Sequence, residues 1–241
     1  MELKVIAHIR TNFKTKFGIP RQSGLVEGVK GEIIFEPEFR NAEALRGLEG
    51  YSHIWLLWDF SQAHREGEKW SPTVRPPRLG GNRRMGVWAT RSPFRPNNIG
   101  LSSVRLTAIR TNTPQGPVLE VNGADLMDGT PIYDIKPYLP FTDSHPDATG
   151  GFAQEQNEKT QPLHVVIPPH LLEKVSPADA KTLSDILAAD PRPHYQDDPS
   201  RTYAMEYGAM EIKFCVDGET LTVTDVCLQP QNGYDGNINK K

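Results

Sequence analysis

The first 140 residues consist of short segments with strand character, and glycine, proline or asparagine interrupts each of them after a few residues. At the N-terminus, Leu3, Val5, Ala7 and Ile9 alternate with polar neighbours, which is typical of a half-buried strand. No long helical pattern separates the segments, and this disfavours a doubly wound sheet. Short strands at close spacing instead predict a small closed barrel or a sandwich. Further candidate strands cover residues 31–35, 52–60, 85–90, 101–111, 118–122 and 132–136.

Residues 52–60, SHIWLLWDF, are nearly all apolar. The segment is too short for a buried helix and is rich in aromatic side chains, so it predicts a central strand. Shortly before it, Asn41 is expected to cap a brief helix over residues 42–48, because an asparagine side chain accepts from the free N–H groups at a helix start.

The chain changes in character after residue 140. Residues 141–162 are polar and rich in turn-forming types, which predicts a linker. Ser176 is followed by a proline and then by an acid in the first turn, and this pattern predicts a helix that continues to about Ala189. Asp217 and the glycine after it are a strong hairpin signal within residues 210–228.

We therefore expect a mainly β protein, with a small N-terminal β-barrel and a small α+β C-terminal domain. The 241 residues are enough to bury a core without disulfide or metal staples. The expected boundaries are residues 1–142 for the barrel domain, 143–162 for the linker, 163–231 for the C-terminal domain and 232–241 for a disordered tail.

The composition excludes several classes of protein. No run approaches the roughly 20 apolar residues that a membrane-spanning helix needs, and the N-terminus lacks the uninterrupted apolar core of a signal peptide. Two cysteines, Cys215 and Cys227, are too few for a disulfide framework or a multi-cysteine zinc site. A reducing, cytoplasmic setting with no membrane contact is the simplest interpretation.

The formal net charge of −3 conceals an uneven distribution. Residues 69–110 contain nine basic side chains and no acidic one, while the rest of the chain holds 18 basic and 30 acidic groups. Such a segment can form a surface for phosphates or nucleic acid. Its arginines can equally pair with carboxylates elsewhere in the fold, and the charge pattern alone leaves both interpretations open.

Common catalytic and nucleotide-binding fingerprints are missing from the sequence. There is no G-x-G-x-x-G after a strand, no phosphate-binding G-x-x-x-x-G-K-[ST], no H-E-x-x-H and no G-x-S-x-G. The seven histidines show no metal-ligand spacing, so we expect no metal site. A Rossmann-type site for a nucleotide or a methyl donor is therefore unsupported.

Three peptides have a composition that is unusual for plain strands and loops. Residues 17–24 carry an arginine and a glutamine on a glycine- and proline-containing turn, and residues 125–128 form a turn with two carboxylates. Pro93 and Pro96 flank Phe94 and Arg95, and the two prolines restrict the backbone that presents these side chains. A guanidinium beside an aromatic ring suits a ligand with both a flat base and a carboxylate or phosphate.

With these peptides the chain closely resembles the TsaA-like (TrmO-type) tRNA methyltransferases, which act on N6 of threonylcarbamoyladenosine beside the anticodon. The resemblance is carried by the ordered blocks GIPRQ, YSHIWLLW, RPPRLGGN, GVWATRSPFRPNNIGLS and DLMDGTPIYDIKPYLPF. The family usually has Asn-Pro where this chain has Asn97-Asn98. A later signature is similar to the bacterial two-domain members and consists of Asp190-Pro191-Arg192-Pro193, Tyr195 and Arg201-Thr202-Tyr203-Ala204.

The resemblance implies a β-barrel that binds S-adenosylmethionine without a Rossmann fold and works as a homodimer. In such a site an arginine can grip the carboxylate of the donor, an aspartate can accept from its ribose hydroxyls, and Leu101 can pack on its adenine. Taken alone, Arg91 can also be a structural ion-pair partner, and Leu101 and Leu126 can be core residues. By motif position, the implied donor-binding residues are Pro20, Arg21, Gln22, Ser61, Gln62, Arg91, Leu101, Asp125, Leu126, Met127 and Asp128.

The same resemblance suggests contacts to the anticodon stem-loop of tRNA. Asp134 is the candidate for orienting or accepting the N6 proton, and it can equally be an ion-pair partner of Lys136, which is itself a candidate substrate contact. Phe94 is expected to stack on an unstacked loop base. Arg95 and Asn97 are expected to read the base edge or to grip the threonyl carboxylate.

Two other functions remain open at this point. An RNA-binding module without catalysis would keep the basic segment but would not need the acidic turn at residues 125–128 or the polar side chains of residues 20–22. An enzyme of small phosphorylated metabolites would use the same arginines on a smaller ligand. Binding of S-adenosylmethionine tests the first alternative, and methyl transfer to bulk tRNA tests the second.

Overall fold

The computed structural model describes residues 2–63, 70–76, 83–192 and 198–229, and its central feature is a closed β-barrel of six strands. Neighbouring strands of the barrel are antiparallel. In their order around the barrel, the strands are β1 (Ala7–Thr11), β2 (Lys30–Phe35), β7 (Val118–Asn122), β6 (Ile99–Arg110), β3 (His53–Asp59) and β8 (Thr130–Pro137). The expected barrel is thus confirmed.

Strand β3 is apolar on both of its faces, which explains why its sequence shows no alternation. Ile54, Leu56 and Trp58 are buried in the barrel. On the outer face, Trp55 packs against Tyr138 with ring centroids 5.5 Å apart. The expected central strand is confirmed, because β3 pairs with β6 on one side and with β8 on the other.

The C-terminal part is a four-stranded sheet covered by helices, as expected for an α+β domain. The sheet has the order β10 (Tyr203–Tyr207), β11 (Met210–Asp217), β12 (Thr220–Leu228) and β9 (His164–Val166), with β9 parallel to β12. Its helices are α3 (Pro169–Leu172) and α4 (Pro177–Ala188). Two further helices precede them in the chain, α1 (Pro140–Asp143) and α2 (Gly151–Lys159). The longest helix in the described ranges, α4, has 12 residues, and none of these helices has the length and apolar character needed to cross a membrane.

A long loop between β1 and β2, residues 12–29, joins the barrel to the C-terminal sheet. Phe17 of this loop stacks on Phe214 with an interplanar angle of 7°, and Phe13 contacts Tyr207 edge-on. The backbone N–H of Gly208 donates to the carbonyl of Asn12. Buried side chains of both parts therefore form one continuous apolar core.

Local capping signals in the sequence are confirmed. The Asn41 side chain accepts from the N–H of Glu43, although the helix that follows is a short 3-10 turn, Ala42–Leu45. The Ser176 side chain accepts from the N–H of Asp179 at the start of α4. Strands β11 and β12 pair directly around the expected Asp-Gly turn.

Three expected elements differ from the structure. The first strand begins at Ala7, and the expected strand over residues 85–90 is only Met85–Gly86 (β5), followed by a 3-10 turn. Strand β5 pairs with only the two-residue β4 (Thr73–Val74), so no longer ladder can form. The polar segment 141–162 contains α2, which is stabilised by contacts four residues apart, such as Gln154 to Glu158, without a buried face. The expected tail, residues 232–241, and the stretch that includes Tyr195 lie outside the described residues.

Two glycines of the long loop provide a matched test of the contact between barrel and C-terminal sheet. Gly18 (φ 94°) and Gly24 (φ 79°) both have left-handed backbones. A Cβ on Gly18 would overlap the Met205 side chain, whereas a Cβ on Gly24 would have no such neighbour within 4 Å. Gly24→Ala should cost about 1–2 kcal/mol of unfolding free energy from the backbone alone. Gly18→Ala should cost about 1–3 kcal/mol more, because overpacking is added. Equal losses in urea unfolding would contradict this packing.

Candidate active site

An open cleft of about 560 Å³ lies where the loop between β1 and β2, the ends of β3 and β6, and the segment before β6 meet. Seven residues that the sequence pointed to line this cleft, namely Arg21, Gln22, Arg91, Arg95, Asn97, Leu101 and Asp125. The other described lining residues, which sequence reasoning missed, are Trp58, Phe60, Trp88, Thr90, Ile99 and Gly100. All of these except Phe60 lie in the motif blocks quoted above. Membership of the same blocks as Arg91 and Leu101 is the sequence signal that could have indicated them.

A chain of two hydrogen bonds connects the barrel core to the cleft. The indole Nε1–H of Trp58 donates to Ser102 Oγ at 3.0 Å, and Ser102 Oγ lies 2.6 Å from Asp125 Oδ1. An indole N–H can only donate, so the hydroxyl accepts from Trp58 and its own hydrogen points to Asp125. Oδ1 of Asp125 is consequently an acceptor, and the buried Ser102 fixes the orientation of the carboxylate.

Burial raises the pKa of the Asp125 carboxyl above its usual range. The Ser102 hydrogen bond, the backbone N–H groups of Asp125 and Ser23, and the charge of Arg91 oppose this effect. Asp125 is the only acidic side chain among the described residues that line the cleft. It is therefore the only carboxylate in the described lining that can accept from hydroxyl or amine groups of a ligand.

The apolar wall of the cleft depends on a glycine. Gly100 lies directly opposite Trp58 across the β3–β6 pair, and a Cβ on Gly100 would overlap the indole ring. Phe60 packs on the same ring with centroids 4.2 Å apart. Leu101, the next residue on β6, is 51% exposed and faces the cleft, so it is not a core residue. This wall suits a flat apolar ligand group.

The basic side of the cleft is built by Arg91. Its guanidinium donates to Oε1 of Gln22, and among the described residues it forms no ion pair with a carboxylate. The side chain is exposed, so its charge is available to an anionic group in the cleft. Within the described residues, the structure therefore does not support the structural ion-pair alternative for Arg91.

Arginines of the basic segment divide between the two interpretations that the charge pattern left open. Arg110 is structural, because it pairs with Glu32 and Glu120 on the outer surface of the barrel. Arg95 lies at the cleft, with its guanidinium 5.5 Å from the ring centre of Trp88. Trp88 is 65% exposed and contacts Trp70, with ring centroids 5.7 Å apart. This exposed aromatic pair beside an arginine forms one rim of the cleft.

Comparison with known proteins identifies the family. The family model of the tRNA-methyltransferase O N-terminal domain matches residues 8–144, and the family model of the TrmO C-terminal domain matches residues 160–229. The chain belongs to the tRNA-methyltransferase O (TrmO) family. The resemblance drawn from the sequence motifs is therefore confirmed.

Individual TrmO relatives match over most of their length. A tRNA (adenine(37)-N6)-methyltransferase of Escherichia coli (strain K12) is 44% identical over 210 residues, covering 85% of this chain and 88% of that protein. One of Eikenella corrodens is 46% identical over 168 residues, covering 69% of this chain and 92% of that protein. A crystal structure of TrmO from Pseudomonas aeruginosa has a TM-score of 0.72 and 32% identity, covering 94% of this chain and 98% of that chain.

Several residues implied by the TrmO resemblance do not line the cleft. Leu126 is 1% exposed and belongs to the core, and Asp128 accepts from the N–H of Thr11. Nε2 of Gln62, in the 3-10 turn Ser61–Ala63, lies 3.2 Å from Sδ of Met127. Of the acidic turn at residues 125–128, only Asp125 thus lines the cleft.

Two further implied residues of the TrmO site lie elsewhere. Pro20 is buried beside a smaller cavity of about 220 Å³ between the long loop and the end of α4. Asp134 lies on β8, where its Oδ2 is 2.9 Å from Nζ of Lys136, and neither residue lines the cleft. The ion-pair alternative for Asp134 and Lys136 is the one that the structure favours.

No metal centre is formed by the part of the chain that the structure describes, since it contains no group of three His, Cys, Asp or Glu side chains able to hold an ion.

Phe94, the residue expected to stack on a base, is 46% exposed.

The raised pKa of Asp125 predicts a pH dependence of stability. A carboxyl whose pKa is higher in the folded state favours folding at low pH, and this contribution is lost as pH rises through the folded pKa. Asp125→Asn keeps the acceptor for Ser102 but cannot ionise. The unfolding free energy of the variant, relative to that of the native protein, should therefore increase from pH 4 upward and then level off.

Urea unfolding of both proteins at a series of pH values measures this difference. Parallel curves over the whole range would contradict the burial of a carboxyl at this position.

Proposed function

We propose that this chain is an S-adenosylmethionine-dependent methyltransferase that modifies N6 of adenine 37 in tRNA. The observation that carries the proposal is the near full-length match to a tRNA (adenine(37)-N6)-methyltransferase, in a chain whose cleft joins one carboxylate, one exposed guanidinium and an apolar wall. The finer proposal is that the adenine carries a threonylcarbamoyl group and is presented by the anticodon stem-loop.

The cleft fits the methyl donor in size and chemistry. Its volume, about 560 Å³, lies within the range of small-molecule sites. Leu101 and Trp58 offer an apolar surface to an adenine ring, and Asp125 offers acceptors to ribose hydroxyls. The Arg91 guanidinium matches the carboxylate of the donor. A donor with these three groups engages every side of the cleft.

The bound donor supplies an electrophilic methyl group on a sulfonium. The protein aligns the N6 nitrogen with the methyl carbon and its leaving sulfur, and it keeps water out of the line between N6 and the methyl carbon. A bond forms between N6 and the methyl carbon, the carbon–sulfur bond breaks with its electron pair retained by sulfur, and N6 loses its proton. The carbonyl beside N6 in threonylcarbamoyladenosine acidifies this proton, so water can accept it without a dedicated base on the chain.

The RNA-binding surface is proposed to be the rim that carries Trp70, Trp88 and Phe94. All three rings are exposed, and exposed aromatic side chains stack on unpaired bases. Arg95 lies over Trp88, and Arg83 and other arginines of the segment can meet phosphates of the stem. Asn97, at the same rim, is proposed to contact the target base or its threonyl group.

We also propose that the protein is a homodimer in the cytoplasm. The free thiols of Cys215 and Cys227 support a reducing compartment. Phe141 is 86% exposed, and such an apolar side chain is suited to contact with a second copy of the chain. Sedimentation equilibrium at increasing protein concentration tests the dimer.

Methyl transfer is tested with labelled S-adenosylmethionine, purified protein and tRNA from cells that lack the protein. Nucleoside mass spectrometry of the product should show N6-methylated threonylcarbamoyladenosine. Donor binding by calorimetry without any methylated nucleoside would favour a different substrate, and no donor binding would favour the RNA-binding module without catalysis.

Arg91→Ala should weaken donor binding by about 10- to 100-fold, since a hydrogen bond to a charged group contributes about 1.5–3 kcal/mol. The unfolding free energy should change by no more than about 0.5 kcal/mol, because the side chain is exposed. Isothermal calorimetry with S-adenosylhomocysteine measures the affinity. Arg83→Ala, in the same segment but outside the described cleft lining, is the matched control and should retain native affinity.

Trp70→Ala should weaken tRNA binding while leaving donor affinity unchanged, because Trp70 lies at the rim and does not line the cleft. Loss of one stacked base corresponds to about 1–3 kcal/mol. Trp70→Phe keeps an aromatic face and should restore most of the affinity. Fluorescence titration at one fixed salt concentration compares the variants, and equal affinities of all three proteins would argue against this rim as the RNA surface.

A further inference from the structure

A tight corner follows helix α4 at the start of the signature Asp-Pro-Arg-Pro. Asp190 has φ 49°, the only positive φ of a non-glycine residue in the described ranges. Nε of Arg192 lies 2.9 Å from Oδ1 of Asp190, and a second guanidinium nitrogen lies 3.1 Å from Oδ2. Both side chains are 10% exposed, so this is a buried, two-pronged ion pair. It holds the backbone of the corner in one conformation.

The corner presents two carbonyl groups to the barrel domain. The guanidinium of Arg21 donates to the carbonyl of Asp190 at 2.7 Å and to that of Arg192 at 3.3 Å. Arg21 is 169 residues away from Asp190 in sequence, so this contact connects distant parts of the chain. The guanidinium of Arg21 therefore acts as a tether to the C-terminal domain, and Arg91 and Arg95 are the other cations that line the cleft.

The tether leads directly into the cleft. Nε2 of Gln22 donates to the carbonyl of Arg21 at 2.6 Å, and its Oε1 accepts from the guanidinium of Arg91. Phe17, earlier in the same loop, stacks on Tyr203 and Phe214 of the C-terminal sheet. The cleft-lining part of the loop is thus held by the C-terminal domain.

We propose that the C-terminal domain positions the donor-binding loop, with the Asp190–Arg192 ion pair as the positioning device. Neither residue is among the described residues that line the cleft, so both act through Arg21. A buried ion pair contributes little net stability, but breaking it leaves an unpaired charge and frees the corner. The proposal rests on the proposed function for the identity of the ligand, but the position of the loop can be measured without any ligand.

Asp190→Asn tests the proposal with least disturbance, because asparagine tolerates the left-handed backbone but carries no charge. KM for S-adenosylmethionine should rise about tenfold, within the range by which remote mutations alter coupling between sites. The kcat at saturating donor should stay near the native value, whereas simple loss of folded protein would lower kcat and leave KM unchanged. Lys181→Ala removes the exposed ion pair to Asp185 on α4 and serves as the control with native KM.

A double-mutant cycle tests whether the ion pair affects the donor KM through Arg21. Arg192→Gln alone should raise the donor KM, but in an Arg21→Ala background it should add little, because the tether is already lost. Arg192→Lys keeps the charge without the two-pronged geometry and should recover only part of the native KM. Additive effects of Arg192→Gln and Arg21→Ala would overturn the proposal.

Amide hydrogen exchange gives a readout that does not depend on the donor. In Asp190→Asn, residues 17–24 should exchange faster, while strands β3 and β6 should keep native protection. Unchanged exchange in the loop overturns the positioning role even if the protein methylates tRNA. Faster exchange in a protein that binds no donor supports the positioning role and rejects the proposed function alone. If Asp190→Asn does not fold, the same measurements on Arg192→Lys test the positioning role.

Discussion

The hydrogen bond from Trp58 to Ser102 is the interaction on which the cleft depends. Trp58 is an inward-facing residue of β3, so the packing of the barrel fixes the direction of its N–H. That direction determines which way the Ser102 hydroxyl points and which oxygen of Asp125 accepts from it. Gly100 leaves the space for the ring. Barrel stability and the geometry of the only described acid in the cleft are therefore linked.

The cleft combines a rigid barrel with parts that the barrel alone cannot hold. β3, β6 and the turn before β8 supply the apolar wall and Asp125, whereas Arg21 and Gln22 come from a loop packed on the C-terminal sheet. The long loop lacks strand pairing of its own and must take its conformation from its neighbours. This division gives the C-terminal domain a physical role in the site.

Local chemistry in the sequence predicted much of the fold. The capping residues Asn41 and Ser176 and the Asp-Gly hairpin depend on neighbours within a few residues. The apolar segment of β3 is too short for a buried helix, so a buried strand is the structure that it favours. The helix α2 was missed because contacts between its own polar side chains stabilise it, without an apolar face that a sequence pattern would show. The length of β5 was overestimated, because the length of a strand depends on its partner and β4 offers only two residues for pairing.

The site was predictable only as far as the family motifs extend. They indicated both Leu101 and Leu126, but burial separates the two. Leu101 is an exposed residue of β6, whereas Leu126 lies in the turn before β8 and packs into the core. Asp134 and Lys136 are near in sequence, so their ion pair could be anticipated as an alternative. The contact of Arg21 with Asp190 is set by the packing of two domains, and no local pattern indicates it.

A crystal structure with S-adenosylhomocysteine is the most direct test of the central claim, which is that this cleft binds the methyl donor. The adenine ring should lie against Leu101 near Trp58, with Asp125 accepting from the ribose and Arg91 meeting the carboxylate. A molecule bound elsewhere on the chain, with the cleft vacant, would contradict the claim.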